Sequence, residues 1–223
     1  MSYMALKNQK SKLTPIMIKR QKVYYNEHRI VDGYASATGI RELLKNKEYS
    51  DVSKVVPRST YQILGQQANN GRMILSLDKY QKEIIYALRK MTVEEIAELP
   101  DVSEGLENSI KNAANNCNNL TELINGIKSK RYTQTRIQRI LIYALLGINK
   151  KMMENSKKII PYTRILGFNS KGKMLISEIM NKNPKINMIT SVKKYMDQNK
   201  NKQLAEMLNV DIFATDVYTL GYD

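Results

Sequence analysis

The Lys and Arg residues of this chain gather in one stretch that contains no acidic residue. No Asp or Glu occurs between Glu122 and Glu154, and this stretch carries Lys128, Lys130, Arg131, Arg136, Arg139, Lys150 and Lys151. Over the whole chain, 36 Lys and Arg stand against 21 Asp and Glu, a formal net charge of +15. A cluster of this kind neutralises phosphates and releases their counterions. We therefore predict a nucleic-acid interface here.

Two tyrosines accompany the charge. Tyr132 and Tyr143 lie in the same stretch, and their rings are of the kind on which unpaired bases stack. A second interpretation remains open, since a charged face that meets only solvent beside a buried apolar stripe gives the same pattern.

A second group of residues has the composition of a phosphate site. Ser36 and Thr38 stand at a predicted helix start, Gly39 permits a close approach, and Arg41 follows one turn later. Hydroxyls and free amides at a helix start bind anions, and Arg20 at the end of a predicted strand would point at the same anion. The alternative is that Ser36 simply caps the helix.

Other chemistry is disfavoured by composition. The single His28 and the single Cys117 exclude an internal disulfide, a multi-cysteine zinc site and a paired-histidine signature. A set of six acidic residues lacks the spacing of metal ligands, and we interpret these residues as balancing the positive charge of the chain. They are Glu94, Glu95, Glu98, Asp101, Glu104 and Glu107. The sequence therefore predicts no catalytic residue and no protein-bound metal.

Periodicity predicts a mainly α fold, in which a strand-loop-helix segment precedes a helical domain with a few short strands. The strand is predicted at residues 14–20, buried, and the helix opens at residues 35–41. The later elements are helices at 80–88, 106–114, 120–127, 135–146 and 174–180, one or two helices over 192–208, and strands at 162–167 and 186–190. The predicted domains are residues 1–50 and 51–223.

No membrane segment or secretory signal is recognised. The longest apolar run, residues 140–148, has nine residues, and about 18 or more are needed to cross a bilayer. Met1 to Lys12 shows neither an apolar core nor a cleavage site. The cytoplasm is the expected compartment.

Several motifs together resemble one family. The run Ala-Ser-Ala-Thr-Gly-Ile-Arg at 35–41 resembles the motif that closes the ATP site of His-x-Gly-His nucleotidyltransferases, with Ala37 in place of a serine. Residues 14–20, 104–108, 128–139, 164–169 and 214–218 resemble the tRNA(Met) cytidine acetate ligases in sequence and in order. The longest of these motifs, Lys-Ser-Lys-Arg-Tyr-Thr-Gln-Thr-Arg-Ile-Gln-Arg, is the most specific.

The resemblance implies an activity and a set of sites. The family activates acetate with ATP, expected with Mg²⁺, and passes the acetyl group to the wobble cytidine of elongator tRNA(Met). It implies ATP-contacting roles for Arg20, Ser36, Thr38 and Arg41. The implied tRNA contacts are Lys128, Lys130, Arg131, Tyr132, Arg136 and Arg139.

The chain departs from the family in lacking the His-x-Gly-His loop. Residues 1–50 are expected to be the C-terminal edge of an α/β nucleotidyltransferase core, and residues 51–223 a tRNA-binding domain. The chain alone is expected not to form acetyl-adenylate, because the catalytic half is missing. Two alternatives remain open: a stand-alone basic RNA-binding module without catalysis, and a helical protein-interaction or membrane-surface module.

Overall fold

The computed structural model describes residues 14–19, 22–24, 27–103, 105–198 and 201–223. The chain divides into two compact units, with the division between Leu75 and Ser76. The predicted domain boundary between residues 50 and 51 falls inside a helix, Tyr49–Val55. The identities assigned to the two predicted domains remain predictions.

The described residues of the first unit form three helices. They are α1 (Ala37–Lys45), α2 (Tyr49–Val55) and α3 (Arg58–Asn69). Helix α1 packs on α2, and α2 packs on α3. Leu44 and Val52 are buried in this unit, so the helix whose start carries the residues predicted to bind phosphate rests on a small apolar core.

The predicted buried strand at residues 14–20 is not found over the residues that the structure describes there. Residues 14–19 form no strand, and Ile16, Met17 and Ile18 are 85%, 95% and 91% exposed. A strand needs a neighbour to pair its backbone and cover its apolar side chains. Among the described residues of the first unit, backbone pairing of the β type is limited to an isolated bridge between Val31 and Tyr34.

The second unit is built of helices around one core. A 3-10 turn, Leu77–Tyr80, leads into α4 (Gln81–Lys90), followed by α5 (Val93–Ala97), α6 (Leu106–Asn116), α7 (Leu120–Ile127), α8 (Gln134–Leu146) and α9 (Lys150–Lys158). After strand β1 (Tyr162–Arg164) come α10 (Ser170–Lys182), β2 (Asn187–Ile189), α11 (Val192–Gln198) and α12 (Lys202–Thr219). The mainly α prediction is confirmed.

The apolar faces predicted from a 3.6-residue period meet in this core. Helix α8 buries Ile137, Ile140, Leu141 and Ala144 against α4, α7 and α12. Each fully buried aliphatic side chain contributes about 1.5–3 kcal/mol. Gly147 ends α8 in the left-handed region at φ +66°, where glycine is favoured. This helix therefore has one fixed face, which decides where its arginines lie.

Two parallel strands form the only ladder among the described residues. Tyr162 pairs with Asn187 and Arg164 with Ile189. Parallel strands require a crossover, and α10 supplies it. Both strands are three residues long, shorter than predicted, and of these six residues only Ile189 is buried.

No helix in the described part of the chain is long and apolar enough to cross a membrane.

Candidate nucleic-acid interface and nucleotide site

The connection between α7 and α8 is a tight turn, which we call the basic turn (residues 128–132). The Tyr132 amide donates to the carbonyl oxygen of Ser129 at 3.2 Å, and the two residues form an antiparallel bridge. The Arg131 amide donates to Ser129 Oγ at 3.3 Å. The buried faces of α7 and α8 fix both ends of this turn, so its tip projects from a rigid base.

Three cations of the basic turn are exposed. Lys128, Lys130 and Arg131 are all exposed, and within the part of the chain that the structure describes none has an acidic group within 4.0 Å. Their charge is therefore not neutralised by a described neighbour. Exposed cations on a short rigid turn suit contact with a phosphate backbone.

The two helix arginines are held by the protein. Arg136 donates from Nε and Nη2 to the carbonyl oxygen of Asp101 at 3.0 and 2.6 Å, and from Nη2 to Ser103 Oγ at 3.3 Å. Arg139 donates from Nε and Nη2 to Oδ2 of Asp101 at 3.0 and 2.8 Å. These hydrogen bonds and the negative charge of Asp101 raise the pKa of Arg139. Both arginines thus fasten the turn at Asp101 to α8.

Tyr132 stands between the two sets of cations. The guanidinium carbon of Arg136 lies 5.0 Å and that of Arg131 5.8 Å from the centre of its ring, within the range of cation–π attraction. Its hydroxyl lies 3.4 Å from Ser103 Oγ. The ring is therefore held in place, and protein cations occupy part of the surface that a base would use.

The sequence interpretation missed the role of Asp101. It was grouped with acidic residues that balance charge, whereas it receives both arginines of α8. Asp101 follows Pro100 and has φ +65°, a left-handed conformation that Asp adopts more readily than most residues. The Pro-Asp pair was a turn signal, but nothing in the sequence linked that turn to a helix 35 residues later.

Lys150, like the two helix arginines, is bonded to the protein and is not a free exposed cation. Its Nζ donates to the carbonyl oxygen of Ala97 at 2.5 Å, and its backbone amide donates to that of Glu98 at 2.8 Å. It therefore connects α9 to the end of α5. The acid-free stretch thus contains exposed cations, three of them at the basic turn, and other cations that hold helices together, namely Arg136, Arg139 and Lys150.

In the first unit, Ser36 is an N-cap with both hydroxyl functions engaged. Its Oγ accepts from the Gly39 amide at 3.0 Å and donates to the carbonyl oxygen of Glu27 at 2.6 Å. The residue is 1% exposed. A hydroxyl has one hydrogen to donate, and here a backbone carbonyl receives it. The structure thus gives Ser36 a capping role.

Gly39 makes the close approach, but to the protein itself. A Cβ at this position would lie 3.2 Å from the carbonyl oxygen of Glu27 and 3.3 Å from that of His28. Thr38 is partly exposed and Arg41 is exposed, and in the described ranges no acidic side chain pairs with Arg41. These two side chains remain the candidates for an anion, together with Arg20, which lies outside the described residues.

Across the described ranges, His, Cys, Asp and Glu form no group of three that could hold a metal ion.

The comparisons with known proteins agree on one family. The family model described as HIGH Nucleotidyl Transferase matches residues 1–223. The tRNA(Met) cytidine acetate ligase of Thermoanaerobacter pseudethanolicus is 38% identical over 218 residues, which are 98% of this chain and 53% of that protein. The chain spans about half the length of the curated relatives it matches.

Solved structures give the same result. The apo crystal structure of Thermotoga maritima TmcAL matches with a TM-score of 0.89 and 26% identity, over 98% of this chain and 53% of that one. The crystal structure of the same protein bound with alpha-thio ATP matches with a TM-score of 0.78 and 27% identity, over 87% and 49%. By sequence along its whole length, the chain belongs to the HIGH nucleotidyl transferase family.

Proposed function

We propose that this chain is the part of an ATP-dependent tRNA(Met) cytidine acetate ligase that binds the tRNA and supplies part of the ATP site. Its similarity to named ligases over 98% of its length supports the reaction. The cations of the basic turn support the tRNA contact, because they are exposed and have no acidic partner among the described residues. That turn is the observation on which the proposal depends.

The proposed reaction explains why two sites are needed. The exocyclic amine of cytidine is a poor nucleophile, because its lone pair is delocalised into the ring. Acetate attacks the α-phosphorus of ATP, pyrophosphate leaves, and the product is a mixed anhydride, acetyl-AMP. The amine then attacks the acyl carbon, AMP leaves with the bonding electrons, and the nitrogen loses a proton. One site must hold the nucleotide and another the tRNA.

The tRNA contact is assigned first to Lys128, Lys130 and Arg131. Tyr132 contributes the base of the turn. Arg136 and Arg139 act mainly through Asp101, because their hydrogen bonds keep the turn and α8 in one arrangement. The proposed tRNA site is therefore narrower than the six residues that the sequence suggested, with three in contact and three in support.

The ATP contact is assigned to Thr38 and Arg41, with Arg20. Ser36 contributes by capping α1, which leaves its first amides oriented outward. The crystal structure of Thermotoga maritima TmcAL bound with alpha-thio ATP supports this proposal, since its fold matches over 87% of this chain. Equilibrium dialysis with labelled ATP tests it: R41Q should lose ATP, and K45Q, on the same helix, should not.

The tRNA proposal is tested by the salt dependence of binding. We expect the double variant K130Q/R131Q to bind tRNA(Met) more weakly and to lower the slope of log affinity against log salt by roughly 2, because two phosphate contacts are lost. The matched control is K82Q/K90Q, which removes two charges beside the acidic residues of α4 and α5.

Two results would count against the proposal. Equal losses in the two double variants would mean that only total charge matters. Equal affinity for tRNA(Met) and a non-cognate tRNA at every salt concentration of this series would favour the alternative, a basic RNA-binding module without catalysis.

A further inference from the structure

A second group of basic residues lies on the crossover between β1 and β2 and in the elements that flank it. Residues 155–196 contain a single acid, Glu178, and nine Lys or Arg: Lys157, Lys158, Arg164, Lys171, Lys173, Lys182, Lys185, Lys193 and Lys194. The carboxylate of Glu178 is paired with Lys182 at 2.7 Å. Lys171 and Lys173 are exposed on the first turn of α10, and no acid in the described ranges pairs with them.

The same crossover exposes large apolar side chains. Helix α10 has no fully buried residue. Leu166 is 90%, Phe168 53%, Met174 66% and Leu175 56% exposed. Isolated exposed apolar residues are ordinary, but a contiguous group of them commonly marks an interaction site. We call Leu166, Phe168, Lys171, Lys173, Met174 and Leu175 the α10 surface.

The aromatic ring and the lysines belong to one turn. A Cβ at Gly172 would lie 3.0 Å from the Cβ of Phe168, so the absence of a side chain at Gly172 lets Phe168 lie across the start of α10. The Gly172 amide donates to Asn169 Oδ1 at 2.9 Å, which fixes that turn. Phe168 is thus held against the first turn of α10, which carries Lys171 and Lys173, while half of its surface stays exposed.

We propose that the α10 surface binds a single-stranded segment of RNA, with Phe168 stacking on an unpaired base and Lys171 and Lys173 contacting the flanking phosphates. This rests on the proposed function, in which the ligand is a tRNA. Charge complementarity selects the occupant. An exposed ring at the start of a helix, whose first turn carries two lysines without an acidic partner in the described ranges, matches the stacking and phosphate contacts of single-stranded RNA. It is distinct in sequence from the basic turn and is a second contact for the same RNA.

The chain offers a direct probe, because it contains no tryptophan. F168W places the only indole of the protein at the α10 surface. Titration with a short single-stranded RNA should quench its fluorescence, since a stacked base lies against the ring. A duplex RNA of the same length should quench it far less, and F168A should bind the single strand about fivefold or more weakly.

The lysines are tested separately. K171Q/K173Q should reduce the salt slope for single-stranded RNA by roughly 1.4, whereas F168A should change the affinity with little change in slope. K82Q/K90Q serves again as the charge-matched control. Wild-type affinities for F168W would show that the substitution preserves the surface.

The inference would be overturned if saturation with single-stranded RNA left the F168W fluorescence unquenched, or if K171Q/K173Q and the control lost equal RNA affinity. A membrane surface would be the occupant if anionic phosphatidylserine vesicles without RNA shifted the F168W emission to the blue and enhanced it, and RNA did not quench it. A second copy of the chain would be the occupant if F168A abolished a monomer–dimer equilibrium and retained the RNA affinity. If K130Q/R131Q weakened tRNA binding but F168A and K171Q/K173Q did not, the proposal for the basic turn would stand and the proposal for the α10 surface would fail.

Discussion

Arg136 donates two hydrogen bonds to the backbone carbonyl oxygen of Asp101, at 3.0 and 2.6 Å. The carboxylate of the same Asp101 accepts from Arg139, so one residue of a turn receives two arginines that lie one turn apart on the same face of α8. Because α8 begins directly after the basic turn, this relationship fixes the base from which the exposed cations project. It also separates arginines that hold the structure from cations that are available to a ligand.

The first prediction concerns the stability of this arrangement. R136Q should lower the free energy of unfolding by about 1–2 kcal/mol, because the Asp101 carbonyl loses a charged donor. K130Q should change it by less than about 0.5 kcal/mol, as is usual for an exposed residue without partners. Urea unfolding followed by circular dichroism measures both. Equal midpoints for the two variants would contradict the supporting role of Arg136.

The second prediction distinguishes two glycines of the first unit. G39A should destabilise this unit by about 1–3 kcal/mol, because the new Cβ meets the backbone oxygens of Glu27 and His28, which cannot simply rotate away. Gly65 lies inside α3, and a Cβ added there would have no neighbouring heavy atom within 4 Å among those considered around it. G65A should stabilise the helix by about 0.5–1 kcal/mol. Thermal unfolding of both variants measures the difference, and a shift of the same sign in both would exclude the packing explanation.

The third prediction concerns two side chains that cap each other's helices. Lys111 on α6 donates to the carbonyl oxygens of Arg89 and Met91 at 2.7 and 2.5 Å, at the end of α4. Arg89 on α4 donates to those of Ala114 and Cys117 at 2.8 and 2.7 Å, at the end of α6. The two helices are thus joined reciprocally at their carboxyl ends, where cations are favoured.

K111M retains the apolar stem and removes only the donor. It should lower the free energy of unfolding by about 1–3 kcal/mol, since several carbonyls lose their partner. K82M, on the exposed side of α4, is the control and should have little effect. If chemical denaturation gave the same midpoint for K111M and wild type, water would be replacing the ammonium group without cost.

The fourth prediction concerns pH. Burial raises the pKa of the Cys117 thiol, which is 3% exposed. The unfolded chain releases this proton near pH 8.5, while the folded chain retains it. Stability contributed by the neutral thiol is therefore complete below about pH 8.5 and is lost as the pH rises through the folded pKa.

The free energy of unfolding should accordingly fall between pH 8 and pH 10, and C117A should fall less over the same interval. Burial also raises the pKa values of Tyr80 and Tyr162, so a decline near pH 10 should persist in C117A. Urea midpoints at half-unit pH steps measure both. A C117A profile parallel to that of wild type would assign the decline to other groups.

The helices could be read from the sequence because their signals are local. The apolar period over residues 80–88, 106–114, 120–127 and 135–146 reports which side of each helix faces the core, and the core then forms from those sides. Gly147 as a helix stop is similarly local, since its left-handed conformation is a property of that residue.

The strand expected at residues 14–20 shows the limit of this approach. Its composition favours a strand, but a strand exists only through a partner, and residues 14–19 are exposed in the part of the chain that is described. The α10 surface was missed for a related reason. Its residues lie within 166–175, and only the exposure of Phe168, Met174 and Leu175 shows that their side chains are not part of the core.

The sequence by itself determined the mainly α class, the cationic character of the chain and the stretch in which its cations concentrate. The tertiary structure decided which cations remain available, because Arg136 and Arg139 find their partner 35 and 38 residues away, while Lys130 and Arg131 find no acid among the residues that the structure describes. It also decided that the Ser36 hydroxyl bonds to Glu27. Charge and helical period are properties of neighbouring residues, whereas the engagement of a side chain depends on what folding brings beside it.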